Sequence, residues 1–307
     1  YGSFIIELSD SDEIGITLGE TVSDYSILLT NSEIKLADVE SLSNDVLEEV
    51  YPVTADSQNN STNVENISYK ATFSRAYSNE KFASPKVIIP VFPGTNCEYD
   101  TAKALRNVGF DTEIIVLRNS SPDAVAESVS YFANAVKTAQ TIFIPGGFSG
   151  GDEPDGSGKF ITAFFRNAAV REETNKLLAV RDGLMCGICN GFQALIKLGL
   201  VPFGEIIDTD ENCPTLTYNN IGRHQSRIVR TRIASNKSPW LSETNVGDIY
   251  NVPISHGEGK FIANEKVIDS LIKNGQIATQ YVDLNGNATM NIDFNPNGSL
   301  LAVEGIT

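Results

Sequence analysis

The sequence predicts an α/β protein: a doubly wound, mostly parallel sheet preceded by a small α+β fragment. Two observations carry that class. From Lys86 onward, short runs of Val, Ile and Phe alternate with stretches of helical apolar spacing, as strands joined by crossover helices do. The strand runs also break into glycine-bearing loops at residues 93–100, 146–159 and 187–193. In open parallel sheets the ligand crevice forms at the carboxyl ends of the strands, where such loops lie.

In chain order, residues 1–53 read as a small module. Strands are expected at 3–8 and 25–29, a turn at Asn31-Ser32, and a further strand at 33–36. A helix over 38–51 would carry Val39, Leu42, Val46, Leu47 and Val50 on one face and stop at Pro52. Residues 54–84 are rich in Asn, Ser and Thr, the composition of a linker. Ile67, Tyr69, Phe73, Tyr77 and Phe82 give that linker apolar groups to lay over a neighbour.

Residues 85–307 hold the α/β pattern. Strands are expected at 87–92, 112–117 and 141–145, and helices at 98–108 and 122–138. Leu184-Met185-Cys186 ends a further buried strand, and Ala194, Leu195, Ile196 and Leu198 begin a helix. Strands and turns fill 203–235, and a strand at 249–254 leads into Ser255-His256-Gly257-Glu258-Gly259.

The chemistry concentrates in Gly187-Ile188-Cys189-Asn190-Gly191-Phe192-Gln193. A cysteine flanked by glycines between strand and helix is a nucleophile elbow, a sharp turn in strained backbone that lifts the thiol above the sheet. The helix dipole favours its thiolate. The Asn190 N–H, just after the nucleophile, is placed to face an oxyanion, so covalent acyl transfer through a thioester is expected. Cys186-x-x-Cys189 also has the spacing of a redox pair or half a zinc site, but Cys97 and Cys213 are isolated and give no second ligand pair. The loop Gly146-Gly147-Phe148-Ser149-Gly150-Gly151-Asp152 has glycines to complete an oxyanion hole; it lacks the Lys-Ser/Thr ending of a phosphate loop, and a plain surface loop is the bland alternative. A cysteine nucleophile also needs a base and an orienting group. With only two histidines, His224 and His256, the pair His256 and Glu258 has the expected spacing.

With 39 acidic against 23 basic residues, the net charge of −16 argues against nucleic acid or an anionic membrane as partner. The basic cluster 223–230 (Arg223, His224, Arg227, Arg230) either faces an anion or another domain or is the polar side of an exposed strand. There is no long apolar run, and the cysteine usage suits a reducing, cytoplasmic setting.

From Lys86 onward the chain resembles the class I (triad) glutamine amidotransferases of flavodoxin-like fold, most closely the glutaminase domains of phosphoribosylformylglycinamidine synthases. The resemblance rests on Pro93-Gly94-Thr95-Asn96-Cys97-Glu98, Pro145-Gly146-Gly147-Phe148-Ser149 with Gly151-Asp152, the Cys189 elbow, and Ser255 to Gly259. It implies that Cys189 attacks the carboxamide of glutamine, that Gly147 and Asn190 form the oxyanion hole through backbone N–H groups, and that Gln193 and Gly146 line the substrate pocket. It implies no metal or cofactor in this chain, with ATP and Mg²⁺ used by synthase domains of the same longer polypeptide. Residues 1–53 resemble the end of such a preceding, AIR-synthase-like domain. The family's triad His-x-Glu follows a segment matching Glu304-Gly305-Ile306-Thr307, so the resemblance places the base and orienter beyond Thr307 rather than at His256 and Glu258, and the sequence reads as a piece of a longer chain. Two rival readings share the elbow: another cysteine hydrolase or deglycase of the same fold, against which Asn190 in place of a histidine counts, and a regulatory domain without activity.

Overall fold

The computed structural model describes residues 2–8, 14–50, 52, 64–72, 81–148 and 158–307. The chain divides into two compact units, residues 1–55 and 56–307.

In the first unit, strands β1 (Ser26–Leu29) and β2 (Ser32–Lys35) pair as an antiparallel hairpin with Leu29 opposite Ser32. Helix α1 (Leu36–Asp45) follows. Two expectations fail here. Residues 2–8 form no strand; among the described residues they pair with no sheet edge, and Phe4, Ile5 and Ile6 are exposed. The helix stops at Asp45 rather than at Pro52. Its last turn is Ser43-Asn44-Asp45, residues whose side chains compete for backbone hydrogen bonds, and Val39, Leu42, Val46 and Leu47 are exposed. Without burial, a helix this short has little to extend it.

The second unit is built on β3 (Lys86–Val91), α2 (Glu98–Asn107), β4 (Asp111–Val116), α3 (Pro122–Val136), β5 (Thr141–Ile144), α4 (Lys159–Phe165), α5 (Ala168–Asn175), β6 (Leu184–Gly187) and α6 (Asn190–Leu198). The four strands form a purely parallel sheet in the order β4-β3-β5-β6. Side chains alternate along a strand, and β3 shows the consequence. Val87 and Ile89 join Ala102 and Leu105 of α2 and Phe143 in one core. Ile88 joins the other, with Phe132, Ile142, Ile144, Phe165 and Leu195. Both faces are therefore buried under helices, which is what a doubly wound parallel sheet requires. Ser121 caps α3 by accepting from the Ala124 N–H at 3.1 Å, with Pro122 at the first helical position.

Beyond a helical turn α7 (Leu200–Phe203), the chain builds a second sheet that the alternating pattern does not foretell. The elements are β7 (Thr215–Thr217), β8 (Gln225–Ile233), β9 (Ile249–His256), β10 (Lys260–Ile262), α8 (Glu265–Lys273), β11 (Ile277–Tyr281) and β12 (Val303–Ile306). This sheet is antiparallel in the order β12-β11-β8-β9, and β7 pairs separately with β10. Part of the Asn- and Ser-rich stretch is fastened to it. Tyr69 donates to the Ala234 carbonyl at 2.8 Å, the Ile67 N–H donates to Gln280 Oε1 at 2.8 Å, and Ile67 enters the core with Leu216, Phe261 and Leu271. Phe73 and Tyr77 lie outside the described residues.

Candidate active site

The carboxyl edge of the parallel sheet carries the loops after β3, β5 and β6. At the last of them Cys189 sits at φ +54°, ψ −112°, in the sharp turn between β6 and α6. A non-glycine residue there stores about 1–3 kcal/mol of strain, and packing holds it in place. A Cβ on Gly187 would come within 2.6 Å of the Gly191 carbonyl, and one on Gly191 would overlap the Ile144 carbonyl of β5. The flanking glycines thus let helix, turn and strand close on one another, and the thiol stands at the amino end of α6, partly exposed.

Cys186 has a different fate. It packs with Val87, Ile89 and Phe143 beneath the sheet, where burial pushes its thiol up to about 12. It stays protonated and shares no surface with a reacting group, so the spacing of Cys186 and Cys189 does not make a redox pair.

The loop after β5 meets the loop after β3. Phe148 donates to the Gly94 carbonyl at 2.8 Å, and Thr95 bridges Gly147. Gly147 takes φ +144°, and a Cβ there would lie 2.5 Å from the Gly94 oxygen and 2.7 Å from Thr95 Cα. Gly146 lies against the nucleophile: a Cβ on it would be 3.3 Å from Cys189 Cβ, 3.8 Å from its Sγ and 3.6 Å from Cys97 Sγ. The loop expected at 146–152 therefore reaches the thiol with its first residues; Ser149 to Asp152 lie outside the described residues.

The third wall comes from the end of β9. Cys189 Sγ is 3.7 Å from the Ser255 carbonyl. Asn190 and Gln193, both buried in the first turn of α6, are linked by an Asn190 Nδ2 to Gln193 Oε1 bond of 3.0 Å. Gln193 Nε2 in turn donates to the Glu258 carbonyl at 2.7 Å. Both ends of the Gln193 amide are thus committed to protein atoms, and it borders the site as a brace between elbow and loop. His224 reaches in from β8's amino end, its Nε2 2.9 Å from Ser255 Oγ and its ring 6.1 Å from that of Phe148.

His256 faces elsewhere. Its ring lies over Gly259, where a Cβ would come within 2.7 Å of Cε1. Among the hydrogen bonds of the described residues, none joins that ring to Cys189 or to Glu258, and its Nδ1 is buried without a partner. Burial, with His224 nearby, pushes the imidazole down to about 4. The ring is neutral at neutral pH and is a poor proton acceptor for a thiol. A stability signature follows. The folded ring resists protonation that the unfolded ring accepts, so its contribution is whole above pH 6.5 and is lost as pH falls toward 4, by roughly 3 kcal/mol in all. Urea unfolding of wild type and His256→Gln at pH 7, 5.5 and 4.5 should show wild type losing ground to the variant as pH falls; parallel curves would refute the assignment.

The basic cluster 223–230 is largely spent on the fold. Arg227 donates to the Asp293 carbonyl at 3.1 Å, Arg230 to those of Asp283 and Leu284 at 3.1 and 2.6 Å, and Arg232 to that of Ile67 at 2.7 Å. These guanidinium groups tie loops to β8. Among the described residues, no group of three or more His, Cys, Asp or Glu side chains is placed to hold a metal ion, and no helix is long and apolar enough to cross a membrane.

A thiol on a strained strand-to-helix elbow, at the carboxyl edge of a doubly wound sheet and facing a glycine loop, defines a class I glutamine amidotransferase-like α/β protein. Residues 84–307 match the CobB/CobQ-like glutamine amidotransferase domain, and the chain belongs to that family. It is 30% identical over 226 residues to the phosphoribosylformylglycinamidine synthase subunit PurQ of Sulfurimonas denitrificans, covering 72% of this chain and 83% of the relative. To the subunit of the same name in Methanococcus maripaludis it is 33% identical over 223 residues, covering 72% and 76%. Among solved structures, that of PurLQS from Thermotoga maritima aligns with a TM-score of 0.50 at 25% identity, covering 73% of this chain and 81% of that one.

Proposed function

We propose that this chain releases ammonia from glutamine for the ATP-dependent conversion of formylglycinamide ribonucleotide to its amidine, the reaction of phosphoribosylformylglycinamidine synthase. The family membership and the name of the relatives support the reaction; the position of Cys189 supports the mechanism. The Cys189 thiolate attacks the side-chain carbonyl carbon of glutamine. The tetrahedral oxyanion is held by the backbone N–H groups of Gly147 and Asn190, which a low-dielectric site makes worth several kcal/mol, about 10²–10³ in rate per donor. The carbon–nitrogen bond then breaks, ammonia leaves with the proton taken from the thiol, and a glutamyl thioester remains. Water attacks the thioester to give glutamate and restore the thiol. Gly146, beside the thiol, and Gln193, through its hold on the Glu258 carbonyl, shape the pocket.

His256 and Glu258 are not assigned to proton transfer, since the His256 ring is turned to Gly259 and burial makes it a weak base. ATP and Mg²⁺ belong to the synthase partner, and residues 1–53 are proposed to be the end of that synthase on the same polypeptide. The single observation that carries the reading is Cys189 at a positive φ, at the head of α6 and against Gly146.

The test is intact mass spectrometry with peptide mapping after incubation with 6-diazo-5-oxo-L-norleucine, an electrophilic glutamine analogue. One adduct on Cys189, prevented by excess glutamine, is expected for the complete polypeptide. No adduct, or an adduct that glutamine does not prevent, would remove glutamine as the substrate.

A further inference from the structure

Asn219 has no part in the chemistry above, yet it is almost wholly buried and its hydrogen bonds converge on one segment. Its Nδ2 donates to the His256 carbonyl at 2.8 Å and to the Arg223 carbonyl at 3.1 Å. Its Oδ1 accepts from the Gly259 N–H at 3.2 Å, and its own backbone N–H donates to the Gly257 carbonyl at 3.0 Å. The same segment is gripped from the elbow side by Gln193 at the Glu258 carbonyl, and from below by Asn297 Nδ2, 2.8 Å from the Gly259 carbonyl. Its first residue, Ser255, offers the carbonyl that touches Cys189 Sγ.

With two glycines in five residues, the stretch 255–259 has little stiffness of its own. Its shape is imposed by the side chains that hold it. The Gln193 side chain fixes the Glu258 carbonyl; the Asn219 side chain fixes the His256 carbonyl and the Gly259 N–H, while its backbone N–H holds the Gly257 carbonyl. Asn219 also closes the turn that ends at Arg223, just before His224 reaches Ser255 Oγ.

We propose that Asn219 is a positioning residue for the glutaminase reaction, pinning residues 256–259 against the elbow so that the wall facing Cys189 has the shape glutamine needs. The inference rests on the glutaminase reading. Asn219 touches neither thiol nor substrate; it acts through the segment, and a displacement of that wall weakens substrate binding before it alters the thiol.

The experiment compares wild type, Asn219→Asp and Asn219→Ser in the complete polypeptide. Aspartate keeps the size and the acceptor for Gly259 but turns a lone pair, instead of a donor, toward two carbonyls. The KM for glutamine and the half-saturating concentration of 6-diazo-5-oxo-L-norleucine at Cys189 should both rise about tenfold or more. The rate of alkylation by iodoacetamide, which needs the thiol but not the pocket, should stay within about twofold. Asn219→Ser, with one shorter donor, should fall between, and it decides the matter if Asn219→Asp does not fold. A folded variant that saturates like wild type overturns the proposal while leaving the glutaminase reading intact. Wild type that takes no glutamine-protected label overturns both.

Discussion

Replacing Cys189 by alanine is expected to abolish glutamine hydrolysis, lowering kcat by at least about 10⁴-fold, because the covalent step loses its nucleophile and the remaining groups of the site do not compensate. The fold should survive. Alanine keeps the Cβ at φ +54° and so carries the same backbone strain as cysteine, and no core contact is removed from the clusters beneath the sheet. In the assembled synthase, amidine formation should then depend on added ammonium salts and no longer respond to glutamine. Ammonia release measured by a coupled assay decides the point: a purified Cys189→Ala protein that still deamidates glutamine at the wild-type rate would end the thioester mechanism.

The second large effect is expected at Gly147. An alanine there meets the Gly94 oxygen at 2.5 Å and Thr95 Cα at 2.7 Å, in a conformation that residues with a Cβ rarely adopt. The contacts that clash are backbone, so the bridge between Thr95 and Gly147 has to open. The N–H proposed for the oxyanion then leaves its place. A fall in kcat of about 10²–10³-fold is expected, with a smaller change in KM, since the donor matters most when charge develops. Single-turnover formation of the glutamyl thioester is the direct readout. Iodoacetamide should still alkylate Cys189, and a Gly147→Ala enzyme with unchanged thioester formation would remove this residue from the oxyanion hole.

The parts of the molecule that could be read from the residues are those where one physical demand dominates. Val87, Ile88 and Ile89 form a run with no polar break because β3 is covered on both faces. Gly187 and Gly191 were legible as close-approach positions, and both close on backbone. The failures arise where a tertiary partner decides. Residues 2–8 have strand composition but pair with no strand among the described residues. Arg227 and Arg230 look like surface charge in one dimension, while their heads are satisfied by carbonyls more than fifty residues away. The spacing of His256 and Glu258 left their roles open in a similar way. Along β9, neighbouring side chains point to opposite faces, so Ser255 Oγ meets His224 while the His256 ring goes to Gly259. Motif spacing cannot state which of two adjacent residues faces the thiol. Asn219 carried no signal, because two adjacent asparagines with Gly222 shortly after read as a turn.

The positive φ at Cys189 sets catalysis against folding at a single residue. Glycine would adopt that conformation at no steric cost, and asparagine at less, so the thermodynamically preferred occupant of the elbow is one that cannot form a thioester. Stability alone, acting on this chain without the demand for a thiol, would exchange the cysteine for a relaxed residue. Its presence there, with Gly187 and Gly191 closing on backbone to either side, holds a thiol where backbone energetics alone would favour another residue.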